Sequence, residues 1–224
     1  MSAFITGSTG LCGHFILAHS ADFYPQVYSL SRSKPTTPPS NATILTDSSP
    51  FENWSDIIKN LQTDQIPEVF FSALGTTKAT AGGVEQRHRI DHDLNLTLAK
   101  AALQKGIKKY VMISSIGADP HSMFSYLKTK GELEQDIINL GFDQVIILQP
   151  GLLIGERTQS KFLGESVISK PFDWIRGTLL GRALMNPIRG EEVALAALKL
   201  SKKGFSGEKV VRVSGHDVYK AAYE

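Results

Sequence analysis

Short apolar runs recur along the chain at Ala3–Thr6, Gln26–Leu30, Glu68–Ala73, Lys109–Ile113 and Gln144–Leu148, with a shorter one just before Asp47. Runs of this length that stay apolar instead of alternating predict strands covered on both faces. Between them, segments with an apolar side predict helices at about Leu11–Ser20, Glu52–Gln62, Val84–Lys105 and Phe124–Leu140. Gly106 and Gly141 follow two of these segments, as helix ends favour. The alternation predicts an α/β chain whose Rossmann-like doubly wound parallel sheet is crossed by helices. Ser31–Asn41 and Gly75–Gly83 read as loops too short to be interdomain linkers. Beyond Gly151 the pattern loosens into apolar, Trp-containing sequence at Phe162–Met185, then a helix at Glu191–Lys202 and a last strand at Lys209–Val213. The expectation is one domain over residues 1–224, with 151–190 forming most of a small C-terminal substrate lobe that caps the carboxyl edge of the sheet.

Composition narrows the function. The 224 residues are 42% hydrophobic, enough for one sizeable core. The net charge of +2 comes from scattered Lys and Arg, with no basic, aromatic-laced stripe, so nucleic acid is not an expected partner. Cys12 is the single cysteine, which rules out an internal disulfide and fits a reducing compartment. Sequons at Asn41, Asn53 and Asn95 follow no secretory signal and read as chance matches. The first strand begins at once, so no cleavable presequence is expected. Gln149 and Pro150 interrupt the most apolar stretch, and a soluble or peripheral protein is expected.

The first strand runs into TGSTGLCG, with Gly7, Gly10 and Gly13 spaced three apart. Residues without Cβ let the backbone N–H groups of a tight turn close on a pyrophosphate, and Ser8, Thr9, Leu11 and Cys12 fill the positions between. The spacing departs from G-x-G-x-x-G, so the strand before and the amphipathic segment after carry the reading. After the second strand an NAD site usually presents a carboxylate to the ribose. Here the strand ends in Ser29-Leu30-Ser31-Arg32-Ser33, and Arg32 with Ser31 suits a 2′-phosphate, so NADP(H) is the expected cofactor.

Farther on, Tyr126 and Lys130 stand four apart and share a helix face. A free phenol, with a pKa of ~10, is a poor acid near neutrality, and an adjacent ammonium favours its ionised form. Ser114 or Ser115, at the end of the preceding strand, offers a hydroxyl to the carbonyl that Tyr126 would protonate. The pair alone is a weak signal. Its order after a glycine turn, a strand and Ser-Ser is the specific one.

TGSTGLCG, ALGTT at Ala73–Thr77, ISSIGA at Ile113–Ala118, YLKTKGELE at Tyr126–Glu134 and QPGLLIG at Gln149–Gly155 together resemble the atypical short-chain dehydrogenase/reductases. Within them the likeness is to the Tat-interacting oxidoreductase-like family and its fungal mitochondrial members, and it spans Met1 to about Val213. The resemblance implies that Ala73, Leu74 and Gly75 lie along the cofactor and Pro150 and Gly151 beside the nicotinamide. It also implies that Ser115 is the catalytic serine, that Ser114 lies on the cofactor side, and that Lys130 serves both the phenol and the ribose. A homodimer and association with mitochondria, at the cytosolic face of the outer membrane, are implied in the same way. Many extended members open the long fourth helix with Asn where this chain has Asp91, which puts a proton relay through that position in doubt.

Several features keep two readings. Asp47 suits the adenine amine or the cap of the next helix. Cys12 suits redox chemistry or plain packing, packing being the commoner. His88 and His92 are four apart, yet HRIDH supplies no evident third ligand, so a polar helix face is expected and no metal site. Lys161–Arg182 suits a membrane surface, a dimer contact or the core of the small lobe. The leading function is NADPH-dependent reduction of an unknown carbonyl compound by Ser115, Tyr126 and Lys130. The competing one is an NADPH-binding sensor without turnover.

Overall fold

The computed structural model describes residues 1–154, 187–205 and 207–224. Seven parallel strands form one sheet in the order β3-β2-β1-β4-β5-β6-β9: β1 Ser2–Thr6, β2 Gln26–Ser31, β3 Ala42–Thr46, β4 Val69–Ser72, β5 Lys109–Ile113, β6 Gln144–Gln149 and β9 Val210–Ser214. The order reverses between β1 and β4, where open α/β sheets form a crevice at the carboxyl ends of the strands. The predicted doubly wound Rossmann-like sheet is therefore the observed fold.

The uniformly apolar strands have cover on both faces. On one, Phe4, Phe70 and Tyr110 stand in register on β1, β4 and β5. Their rings stack at 5.4 Å and 5.3 Å, each pair adding about 0.5–1.5 kcal/mol beyond its buried area. Helix α2 (Pro50–Lys59) closes this face with Trp54 and Ile58. The next residues along the strands, Ile5 and Phe71, point the other way and pack with Ile16 and Leu17 of α1 (Gly13–His19) and Val193 and Ala197 of α7 (Gly190–Lys202).

The predicted helix at Val84–Lys105 is composite: α4 (Val84–His88), a π-helical turn at Arg89–Leu94, and α5 (Asn95–Lys105). The Gly75–Gly83 segment is not wholly loop, because Thr77 Oγ1 accepts from Thr80 N at 3.1 Å and caps a short helix α3 (Lys78–Ala81). Helix α6 spans Ser125–Asn139. The strand expected at Lys209–Val213 pairs with β6, and α8 (His216–Tyr223) follows where no element was expected. Strands β7 (Leu153–Ile154) and β8 (Ile188–Arg189) pair beside Gly151. The segment Phe162–Met185, the Lys161–Arg182 stretch and most of the expected 151–190 lobe lie outside the described residues.

Candidate functional site

The glycine turn sits at the reversal point. Gly7 leaves β1 with φ +80°, and a Cβ there would lie 2.5 Å from the Ala73 carbonyl carbon at the end of β4. A Cβ on Gly13 would lie 2.1 Å from the Gly7 carbonyl oxygen. Gly10 N donates to Gly7 O at 2.9 Å and closes the turn. Glycine is thus required at positions 7 and 13 for the backbone to approach itself and β4. Among the described residues, the N–H groups of Thr9 and Leu11 donate to no acceptor. Behind the turn, Ser29 Oγ donates to the buried Ser8 Oγ at 2.7 Å and ties it to β2. Cys12 is buried at the start of α1.

Beside the turn opens a cleft of about 130 Å³, lined by Ser8, Thr9, His14 and Leu17 and by Pro35, Thr36 and Thr37 of the loop after β2. His14 Nδ1 is buried without a hydrogen-bond partner among the described residues. At the start of that loop Ser31 donates to Ser33 O at 2.8 Å, so its hydroxyl is engaged. Arg32 is exposed and makes no hydrogen bond or ion pair among the described residues. Asp47 spends its carboxylate on local structure: Oδ1 accepts from Ser49 N at 2.7 Å and Oδ2 from Asn53 Nδ2 at 3.1 Å, fixing the entry to α2.

Ala73 and the Leu74 backbone lie directly against Gly7, and Gly75 follows them. Thr76 N donates to Asp91 Oδ1 at 2.7 Å, so Asp91 pins this loop from the π turn. Asn95, buried one turn later, donates from Nδ2 to Ile90 O at 3.0 Å and accepts from Ser72 Oγ. It joins the end of β4 to the widened helix.

Past β5 lie Ser114 and Ser115 and then α6, which carries Tyr126 and Lys130. Lys130, 6% exposed, donates from Nζ to the Ile113 carbonyl at 3.2 Å. Ser115 makes one long contact, from Oγ to Ile116 O at 3.3 Å, and Ile116 N donates to Pro150 O at 2.9 Å. Pro150 and Gly151 are thereby held next to the serine. Ser114 is buried and donates to Glu134 Oε1, whose carboxylate also accepts from Gln149 Nε2 at 2.9 Å. Its hydroxyl is therefore committed to α6. Tyr126 is 39% exposed, and the Arg87 guanidinium lies 5.6 Å from its ring centre. Arg87, 8% exposed, donates from Nη2 to Ser125 Oγ at 2.9 Å, while its buried Nε has no partner among the described residues. A Cβ on Gly131 would lie 2.3 Å from the Asp119 carbonyl carbon, so this glycine lets α6 seat against the loop after β5.

The displaced pKa values lie away from this cleft. Burial pushes the phenols of Tyr24 and Tyr110 well above their ordinary value and the Lys109 ammonium below its own.

The HIM1 family model matches residues 44–182. A Candida albicans protein named FMP52, mitochondrial, is 42% identical over 99% of this chain and 98% of its own length. The chain belongs to the HIM1 family. A Saccharomyces cerevisiae relative of the same name is 38% identical over 97% of the chain and 95% of its own length. Solved structures share the HIM1-family chain's fold. A UDP-glucose 4-epimerase covers all of the chain with 80% of its own length, at a TM-score of 0.71 and 11% identity. A serine dehydrogenase complexed with NADP+ covers 95% with 94% of its own, at 0.70 and 16%. MoeE5, in complex with UDP-glucose and NAD, covers 96% with 76% of its own, at 0.69 and 17%.

Sequence reading gave no site role to His14, which lines the cleft, or to Arg87, Asn95 and Glu134, whose side chains tie together the loops and helices past β4 and β5. Asn95 and Glu134 carried a faint signal, each being a polar residue beside apolar neighbours on a buried helix face.

Proposed function

We propose that this HIM1-family chain is an NADP(H)-dependent oxidoreductase of the atypical short-chain dehydrogenase/reductase type that reduces a carbonyl compound. The observation that carries the reading is the Lys130 ammonium docked on the Ile113 carbonyl, beside Ser115 and one turn from Tyr126, at the end of the sheet that holds the glycine turn. The residues fit a dinucleotide. The amides of Thr9 and Leu11, unpaired among the described residues, suit a diphosphate, and the exposed Arg32 guanidinium with the hydroxyls of Thr36 and Thr37 suits a phosphorylated ribose. The orphaned His14 Nδ1 lines the same cleft.

NADPH, when bound, supplies a hydride. Ser115 donates its hydroxyl hydrogen to the substrate oxygen and orients the carbonyl. Tyr126 gives its phenolic proton to that oxygen as negative charge builds on it. Lys130, held by Ile113 O, offers its remaining N–H donors to the ribose and lowers the cost of leaving a phenolate one turn away. The relatives are named mitochondrial, and the proposal extends that location to this chain, at the cytosolic face of the outer membrane. Among the described residues no helix is long and apolar enough to cross a membrane.

Incubation with NADPH and a panel of aldehydes and ketones tests the reading. Wild-type protein should consume NADPH, and Tyr126→Phe should lower kcat at least ~100-fold, the usual scale of one acid–base catalyst, while NADPH still binds. Wild-type binding without turnover would mark a sensor. Turnover that survives Tyr126→Phe would remove the tyrosine from the chemistry.

A further inference from the structure

On the outer side of the composite helix, facing α6, lies a cluster with no part in the proposed reduction. His88 closes α4, while His92 and Asp93 belong to the π turn. In an α-helix, five residues at about 100° each would put Asp93 roughly 140° around from His88. In a π turn, whose bonds run i→i+5, residues five apart return to the same side. The widened turn thus adds a carboxylate to a histidine pair that HRIDH alone leaves two-coordinate.

Asp93 Oδ1 lies 2.9 Å from His92 Nδ1 and 3.5 Å from His88 Nδ1, and one donor atom from each of the three residues lies within 4.8 Å of the others. Ligand atoms of a tetrahedral zinc site stand about 3.3 Å apart, given bonds of about 2.0–2.2 Å. The far nitrogens meet carboxylates of α6. His92 Nε2 is 3.1 Å from Asp136 Oδ2, and His88 Nε2 is 3.5 Å from Glu132 Oε2. Carboxylates so placed hold a metal-binding imidazole by its second nitrogen and fix the tautomer.

Charge balance favours a cation. Two neutral imidazoles carry one N–H each, enough for Glu132 and Asp136 but leaving Nδ1 lone pairs aimed at the Asp93 oxygen. The two imidazole rings stack at 4.8 Å, with both Nδ1 atoms within 3.5 Å of the Asp93 carboxylate oxygen. One divalent ion satisfies all three donors and offsets two of the three carboxylate charges. The other charge at the cluster is Lys128, 3.9 Å from Glu132 Oε1. His88, His92, Glu132 and Asp136 line an open cleft of about 350 Å³ with room for water to complete the coordination.

We propose that His88, His92 and Asp93 bind a divalent transition ion of the zinc class, with Glu132 and Asp136 as positioning residues that orient the imidazoles. The ion would fasten the π turn to α6, the helix that carries Tyr126 and Lys130. The test is titration of untagged, chelator-treated full-length protein with Zn2+ against a chromophoric chelator, with Co2+ absorption reporting coordination in the unaltered protein. One equivalent should bind, with the visible bands of a low-symmetry cobalt site. Asp93→Asn and His92→Gln should each weaken binding at least ~10-fold and Asp136→Asn about 10-fold or more, with unchanged circular dichroism. His121→Gln, outside the cluster, should change nothing. Failure of the unaltered protein to bind either ion, or binding undiminished in both Asp93→Asn and His92→Gln, overturns the proposal. Neither outcome bears on NADPH binding.

Discussion

On the proposed reading, Arg32 sets the preference of the cleft for NADP(H) over NAD(H). Its guanidinium stands exposed past β2 with no partner among the described residues, and the serine before it has turned its hydroxyl to Ser33. Arg32→Ala should therefore weaken NADPH by about 1.5–3 kcal/mol, the scale of a charge-assisted hydrogen bond, and leave NADH almost unchanged. Equal weakening of both in parallel titrations would remove Arg32 from the phosphate site. The candidates of this kind could be named from sequence because they sit in contiguous motifs: Gly7 to Gly13, Ser31-Arg32, Ser114-Ser115, and Tyr126 with Lys130. Those that were not draw meaning from distant partners. Arg87 reaches Ser125, Asn95 reaches Ser72, and Glu134 reaches Ser114 and Gln149. Asp47 reads from the sequence as a pair of alternatives, and in the structure its carboxylate accepts from Ser49 N and Asn53 Nδ2 at the entry to α2.

Elements inherit their limits from these contacts. Gly13 opens α1 so close to Gly7 O that an added methyl has no room, and the opposing atom is backbone, which cannot swing away. Gly13→Ala should cost about 1–3 kcal/mol, as overpacking does, and abolish NADPH binding. Urea unfolding and a fluorescence titration measure the two effects, and near-neutral values for both would mean that the turn relaxes. Strand positions were readable to within a residue or so, since each is an apolar run bounded by turns. The π turn was not. Its sequence, RIDHDL, carries helical periodicity, and the widening belongs to the backbone, beside which Thr76 N donates to Asp91 Oδ1 and Asn95 Nδ2 to Ile90 O. Helix α3 was missed because its cap, Thr77, lies in a glycine-rich stretch that reads as loop.

At the scale of the whole molecule, the parallel sheet followed from its uniformly apolar strands, whereas strand order rests on pairings that no local pattern encodes. Two buried tyrosines set the alkaline limit of this fold. Burial raises the Tyr24 and Tyr110 pKa values, so the stability they contribute is full below about pH 10, where the unfolded phenols begin to ionise, and is lost as pH rises through the higher folded values. Lys109 acts the other way: its lowered pKa makes stability rise with pH between its folded value and about 10.4. Two groups against one predict a net fall, and the urea midpoint of Tyr24→Phe should drop less than that of the unaltered protein between about pH 9 and about pH 11. The central claim, that the crevice at the β1/β4 reversal holds NADP(H), meets its most direct test in equilibrium titration with NADPH and NADH followed by nicotinamide fluorescence. Saturable binding of one NADPH per chain, tighter than NADH and lost in Gly13→Ala, is the predicted result; no binding of either dinucleotide to folded protein would contradict it.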